Sequence, residues 1–84
     1  LNDQDPRCFL GWGQVLLAKG DYEAALNKFR MARRLDPSKR ALYALREAEA
    51  YAGMGNYQQA VDACERALIW DKDNQDAIKL LIQV

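Results

Sequence analysis

The chain has 84 residues, half of them hydrophobic and only two proline, which describes one small folded domain and excludes a disordered segment. Twelve Lys and Arg balance twelve Asp and Glu, so the net charge gives no reason to seek nucleic acid or an anionic membrane. No run reaches the ~20 apolar residues of a membrane span and no secretory pattern opens the sequence.

The periodicity is helical throughout. Asp5-Pro6 opens a first helix, predicted over 6–19, with Asp5 capping free amides and Pro6 tolerated in the first turn. Phe9, Trp12, Gly13 and Leu16 recur on one face, and Gly20 closes the helix by adopting the left-handed conformation. Asp21 is expected to cap the next helix, 22–35, whose buried stripe is Tyr22, Ala25, Leu26, Phe29 and Ala32. Arg33 and Arg34 favour the negative end of its dipole, and Asp36-Pro37 stops it.

A third helix, 39–54, turns Ala41, Ala44, Leu45, Ala48, Tyr51 and Ala52 inward and ends at Gly53 and Gly55. Asn56 and Gln59 read as a capping box for the fourth, 57–70, with its stripe of Tyr57, Ala60, Val61, Cys64, Ala67 and Leu68. The polar hinge Asp71-Lys72-Asp73-Asn74 precedes a fifth helix, 75–83. Ile78 and Leu81 are expected to seal it onto the fourth helix with Trp70 at the seam, leaving Leu80, Ile82 and Val84 outward.

The first four helices are two copies of one unit. Gly20, Tyr22, Ala25, Ala32 and Asp36 recur as Gly55, Tyr57, Ala60, Ala67 and Asp71, all 35 residues on. A period in this range marks a tandem supersecondary unit that cannot bury its apolar face alone. Small residues (Gly13, Ala25, Ala32, Ala48, Ala60, Ala67) are predicted where helices cross closest, with Trp12, Phe29, Tyr51 and Tyr22 filling the space beside them. Gly11 and Gly13 would both serve close packing, since glycine within a helix costs roughly 0.5–1 kcal/mol against alanine.

The first copy, with Phe9, Trp12-Gly13, Leu16, Gly20-Asp21-Tyr22, Ala25, Phe29, Ala32 and Pro37, resembles the tetratricopeptide repeat family. The second follows as Ala44, Glu47-Ala48, Tyr51, Gly55-Asn56-Tyr57, Ala60, Cys64 and Ala67. It departs from the family at Glu47, where an apolar residue is usual, at Lys72 in place of proline, and in its spacing of 35 rather than 34. The resemblance implies an all-α solenoid of antiparallel helix pairs coiled into a right-handed superhelix. It divides the single domain, residues 1–84, into a first repeat at 6–39, a second at 40–74 and a terminal or capping helix at 75–84.

The same resemblance implies a protein–protein interaction scaffold whose concave groove is lined by the first helix of each pair. The corresponding positions are Arg7, Leu10, Gln14 and Leu17, then Leu42, Leu45, Arg46 and Glu49, then Asp76, Lys79, Leu80 and Gln83. Leu10, Leu17, Leu42 and Leu45 would form an apolar floor rimmed by mixed charge, the kind of patch that marks contact. One branch of the family grips the C-terminal carboxylates of heat-shock chaperone tails with Lys and Asn on the first helix, Asn on the third, and Lys and Arg on the fifth. Here those positions hold Leu10, Gln14, Arg46, Asp76 and Leu80, which disfavours such tails.

A structural or self-association segment, its groove filled by its own chain or another copy, is the alternative, and a homo-oligomer is compatible with either. The chain begins at Leu1, as a piece of a longer polypeptide would. Arg30, Arg33, Arg34, Lys39 and Arg40 make a basic cluster, read as a solvated face with dipole compensation or, more sharply, as a receptor for an acidic or phosphorylated partner. Cys8 and Cys64 match no zinc or redox spacing and read as small core residues, in keeping with a cytoplasmic or other reducing compartment. With no histidine, no phosphate loop and no nucleophile beside a base, the sequence implies neither an enzyme nor a cofactor nor a metal site.

Overall fold

The computed structural model describes residues 5–83, Gln83 by its backbone only. Among them lie five α-helices: α1 (Pro6–Lys19), α2 (Tyr22–Leu35), α3 (Arg40–Gly53), α4 (Tyr57–Trp70) and α5 (Gln75–Gln83). A 3-10 turn at Pro37–Lys39 enters α3, so this helix runs 40–53 rather than 39–54, with Met54 as its cap. No strand occurs among the described residues. Each helix packs on the next, and α3 also touches α5, giving an all-α solenoid of antiparallel pairs. The Cα positions span 38 × 27 × 15 Å. The thin axis accommodates two helix layers, since paired axes lie ~8–10 Å apart.

The helix ends follow from local chemistry. Arg7 N–H donates to Asp5 Oδ1 at 2.9 Å, satisfying a free amide of α1. Gly20 (φ 88°) and Gly55 (φ 83°) take the left-handed conformation, which lets the chain reverse in two residues after α1 and in three after α3. Asp21 and Asn56 were expected to cap through their side chains and do not. In so short a reversal their ψ is held at 68°, against 119° at Asp5, and the carboxyl or amide makes no bond to the amides it would cap. Asn74 does cap, its Oδ1 accepting from Ala77 N–H at 3.1 Å.

The close crossings lie where small residues were predicted. Ala25, Ala32, Ala48, Ala60 and Ala67 are fully buried. A Cβ added to Gly13 would lie 2.5 Å from Phe29 Cε1, so α1 and α2 can meet there only because the residue is glycine. Gly53 is pressed in the same way by the Tyr22 ring. Gly11 is different: it is exposed, and nothing lies within 4 Å of where its Cβ would be.

The 35-residue offset also explains several differences from expectation. Trp12, expected in the core, is 54% exposed, and Cys8 is exposed as well. Their equivalents on α3, Glu47 and Tyr43, are buried because α2 lies over them: Ala32 packs with Tyr43, while Arg30 and Arg33 reach Glu47. Among the described residues no helix precedes α1 to do the same for Trp12. Lys28 Nζ instead sits 3.8 Å from its ring centroid. Tyr57 is exposed for a related reason. Tyr22 is covered by the end of α3 at Gly53, whereas no described residue of α5 corresponds to Gly53 above Tyr57. Tyr51 is half-buried rather than buried, with its hydroxyl accepting from Arg30 Nη2 at 2.6 Å.

At the C-terminal end, Trp70 and Leu80 pack against the cluster of Ala44, Leu45, Ala67 and Ala77. Leu80 and Leu81 also meet Ala48, Ala63 and Cys64. The seal is therefore made by Leu80 and Leu81, not by Ile78 and Leu81; Ile78 is exposed, as is Ile82. Ala77 sets the register: it is fully buried, which turns Leu80 and Leu81, a helical turn later, to the same side. Val84, expected to face outward, lies outside the described residues.

Candidate partner-binding surface

The groove positions on α1 form a graded stripe. Arg7 and Gln14 are exposed, while Leu10 and Leu17 are partly exposed about two turns apart. Arg7 folds back on the cap of its own helix, with Nη2 3.0 Å from Asp5 Oδ2. The mutual hydrogen bonds hold the Asp5 carboxyl below its ordinary range and raise the Arg7 guanidinium. Leu42 on α3 is also partly exposed, and with Leu10 it packs onto Phe9, Ala32 and Tyr43, so one apolar cluster joins the two helices.

Leu45 does not contribute to the floor: it is 1% exposed, absorbed into the packing of α3 on α4 and α5. Its position serves two faces in a sequence reading, and the approach of α4 and α5 decides for the core. Leu80 is likewise half-buried, packed against the core. Arg46 and Glu49, one turn apart, neutralise each other through a 2.9 Å bond from Arg46 Nη1 to Glu49 Oε1. Lys79 and Asp76 are exposed on α5, and the side chain of Gln83 lies outside the described residues.

The opposite side of α3 carries a second, charged feature. At 100° per residue, Ala44, Glu47 and Tyr51 centre on the side away from Leu42, Arg46 and Glu49. A cavity of about 200 Å³ lies there between α2, α3 and α4, with Arg30, Arg33, Glu47, Tyr51, Asp62 and Arg66 in its wall. Glu47 is 4% exposed. Arg33 Nη1 lies 3.0 Å from its Oε2 and Arg30 Nε 3.6 Å from its Oε1. Burial nevertheless pushes the Glu47 carboxyl above its ordinary 4.5, with Arg33, Arg30 and Arg66 opposing the shift.

Arg30 and Arg33 are thus more than a solvated face: they reach across from one repeat to a carboxylate buried in the next. The sequence signal was present but unread, two arginines three apart on one helix and an acid in an apolar register on the following one. Tyr43 was missed altogether. It is 1% exposed, with its hydroxyl donating to Asp36 Oδ2 at 3.3 Å and its pKa raised chiefly by burial.

Cys64 is buried and its thiol is pushed up by that burial, while Cys8 is exposed; neither is in a disulfide. Among the described residues no group of His, Cys, Asp and Glu is placed to hold a metal ion, and no helix is long and apolar enough to cross a membrane. A protein-family model for the tetratricopeptide repeat matches residues 16–83.

Proposed function

The chain belongs to the tetratricopeptide repeat family, and from that premise we propose that it holds an extended or helical segment of a partner protein against α1, α3 and α5. Members of this family are typically non-catalytic protein–protein interaction modules, and no reaction is proposed for this one. The division into repeats at 6–39 and 40–74 with a terminal helix at 75–84 belongs to the same reading. The observation that carries it is the partly exposed set Leu10, Leu17 and Leu42, of which Leu10 and Leu42 share one apolar cluster, together with exposed Arg7 and Gln14 on α1 and the Arg46–Glu49 pair on α3. Apolar anchors with a polar rim suit a peptide carrying spaced hydrophobic residues. An acidic C-terminal tail finds Leu10, Asp76 and Leu80 where it would need cations, so heat-shock chaperone tails remain disfavoured. Two free thiols suit a reducing compartment such as the cytoplasm.

A photo-crosslinking residue in place of Gln14 tests the proposal. Adducts with a segment of another protein, lost on Leu10→Glu or Leu42→Glu while helicity by circular dichroism persists, would support it. Adducts confined to other copies of the chain would favour self-association, the reading for which exposed Ile78 and Ile82 speak.

A further inference from the structure

The cavity between α2, α3 and α4 lies on the far side of α3 from the groove and plays no part in the binding proposed above. Arg30 and Arg33 enter it from α2 and Arg66 from α4, against two carboxylates, Glu47 and Asp62. Arg33 and Arg66 also wall the adjoining shallow pocket, where the Arg40 guanidinium lies 4.8 Å from the Trp70 ring centroid. Positive charge therefore continues along this surface. Arg66 is exposed and forms no ion pair among the described residues.

The second observation is Glu47 itself. Its side chain is 5% exposed, yet Oε2 accepts no hydrogen bond, because Arg33 Nη1 at 3.0 Å is not aligned to donate one. A buried acceptor left in this state needs a donor. The complementary ligand brings several acceptor oxygens for the guanidinium groups and one proton for Glu47. Carboxylates and sulfate offer acceptors only. A phosphomonoester, whose second pKa is about 6, exists near neutral pH partly as the monoanion and offers both. Tyr51 adds to the match: its oxygen accepts from Arg30 Nη2, which leaves its own hydrogen free to donate. A volume of about 200 Å³ admits such a group but is below the ~300 Å³ at which drug-sized ligand sites begin.

We propose that this cavity receives a phosphorylated side chain of a protein partner, its oxygens held by Arg30, Arg33 and Arg66 and one proton shared with Glu47. The groups facing that proton are Arg30 and Arg33 on α2, Tyr51 on α3, and Gln59, Asp62 and Arg66 on α4. Asp62 is the one member that opposes the anion. The site stands independently of the groove, and either can fail without the other.

The test is a titration of the intact chain, followed by the Nε–H signals of its arginines, with a short blocked phosphoserine peptide. Its unphosphorylated and glutamate forms, inorganic phosphate and sulfate are the comparison arms. The phosphoserine peptide should move the Arg30, Arg33 and Arg66 signals, and sulfate and the glutamate peptide should bind at least about tenfold more weakly. Arg66→Gln, at an exposed position that leaves the fold intact, should weaken binding by about tenfold or more, and Asp62→Asn should tighten it. Binding should fade as the phosphoryl group loses its last proton, and Glu47→Gln, whose amide can donate to the dianion, should preserve it at alkaline pH. Equal binding of sulfate and phosphate, unmoved arginine signals, or no effect of Arg66→Gln would overturn the site. Binding of inorganic phosphate but not of the phosphoserine peptide would overturn the assignment to a protein partner.

Discussion

Gly11 and Gly13 stand two residues apart on the same helix and have opposite consequences. Gly13→Ala must displace the Phe29 ring, which lies 2.5 Å from the new Cβ, and should lower stability by about 1–3 kcal/mol. Gly11→Ala meets nothing and should raise stability by roughly 0.5–1 kcal/mol through helix propensity. Thermal midpoints of the two variants check this directly, and equal shifts would contradict the crossing geometry. Cys8 should react with an alkylating reagent in the folded chain while Cys64 is protected until unfolding, because only Cys8 is exposed; mass spectrometry of labelled peptides reads the outcome. At this scale the sequence was only partly legible. Periodicity identified which residues lie on the inner stripe of α1, but not that Trp12 and Cys8 at its edge would be exposed among the described residues while Tyr43 and Glu47, at the same register, are covered by α2.

At the scale of elements, the helix boundaries were readable because each is fixed by local chemistry: Asp5 and Pro6 at one end, left-handed Gly20 and Gly55 at the reversals, and Asp36 and Asp71 at the stops. The contact of α2 with α3 was only partly readable, because beside the packing of Ala32 on Tyr43 it includes an ion pair between repeats. Glu47 is raised above its ordinary 4.5 by burial, so the fold favours its protonated form. Its contribution to stability is fully present below that value and is lost as pH rises through the raised pKa of the folded state. Glu47→Leu removes this dependence. Arg30 and Arg33 are partly exposed and stay hydrated, so the variant should be neutral or more stable by about 1–4 kcal/mol at pH 7. Denaturation across the acid-to-neutral range, comparing variant with wild type, gives the difference. A wild type that gains on the variant as pH rises would reverse the argument. On α5, Leu80→Lys should destabilise by roughly 1.5–3 kcal/mol and Ile82→Lys by almost nothing, since only the first packs in the core.

For the whole molecule, the solenoid leaves apolar surface at both ends of the stack: Trp12 and Val15 on α1, and Ile69, Ile78 and Ile82 on α4 and α5. The sequence pointed to an unpartnered C-terminal helix, but it could not distribute α5 between core and surface without knowing that Ala77 docks. The Leu80 and Leu81 edge seals the second pair, and what remains exposed is narrower than the periodicity suggested. Covering what is exposed of Ile78 and Ile82 together with half of Trp12 would yield about 3–5 kcal/mol, against at least ~4 kcal/mol for lost freedom on association. The balance permits a weak, reversible association and not a tight dimer. Sedimentation of the chain over about a hundredfold range of concentration should show the average mass rising only near the top of the range. A variant carrying both Ile78→Lys and Ile82→Lys should remain monomeric with its melting midpoint unchanged, because neither side chain belongs to the core. A wild type that is monomeric throughout would mean that these apolar ends are too dispersed to act as one surface. A tight dimer at the lowest concentration would mean that the groove leucines Leu10, Leu17 and Leu42 join the contact, and adding Leu10→Glu would then dissociate it.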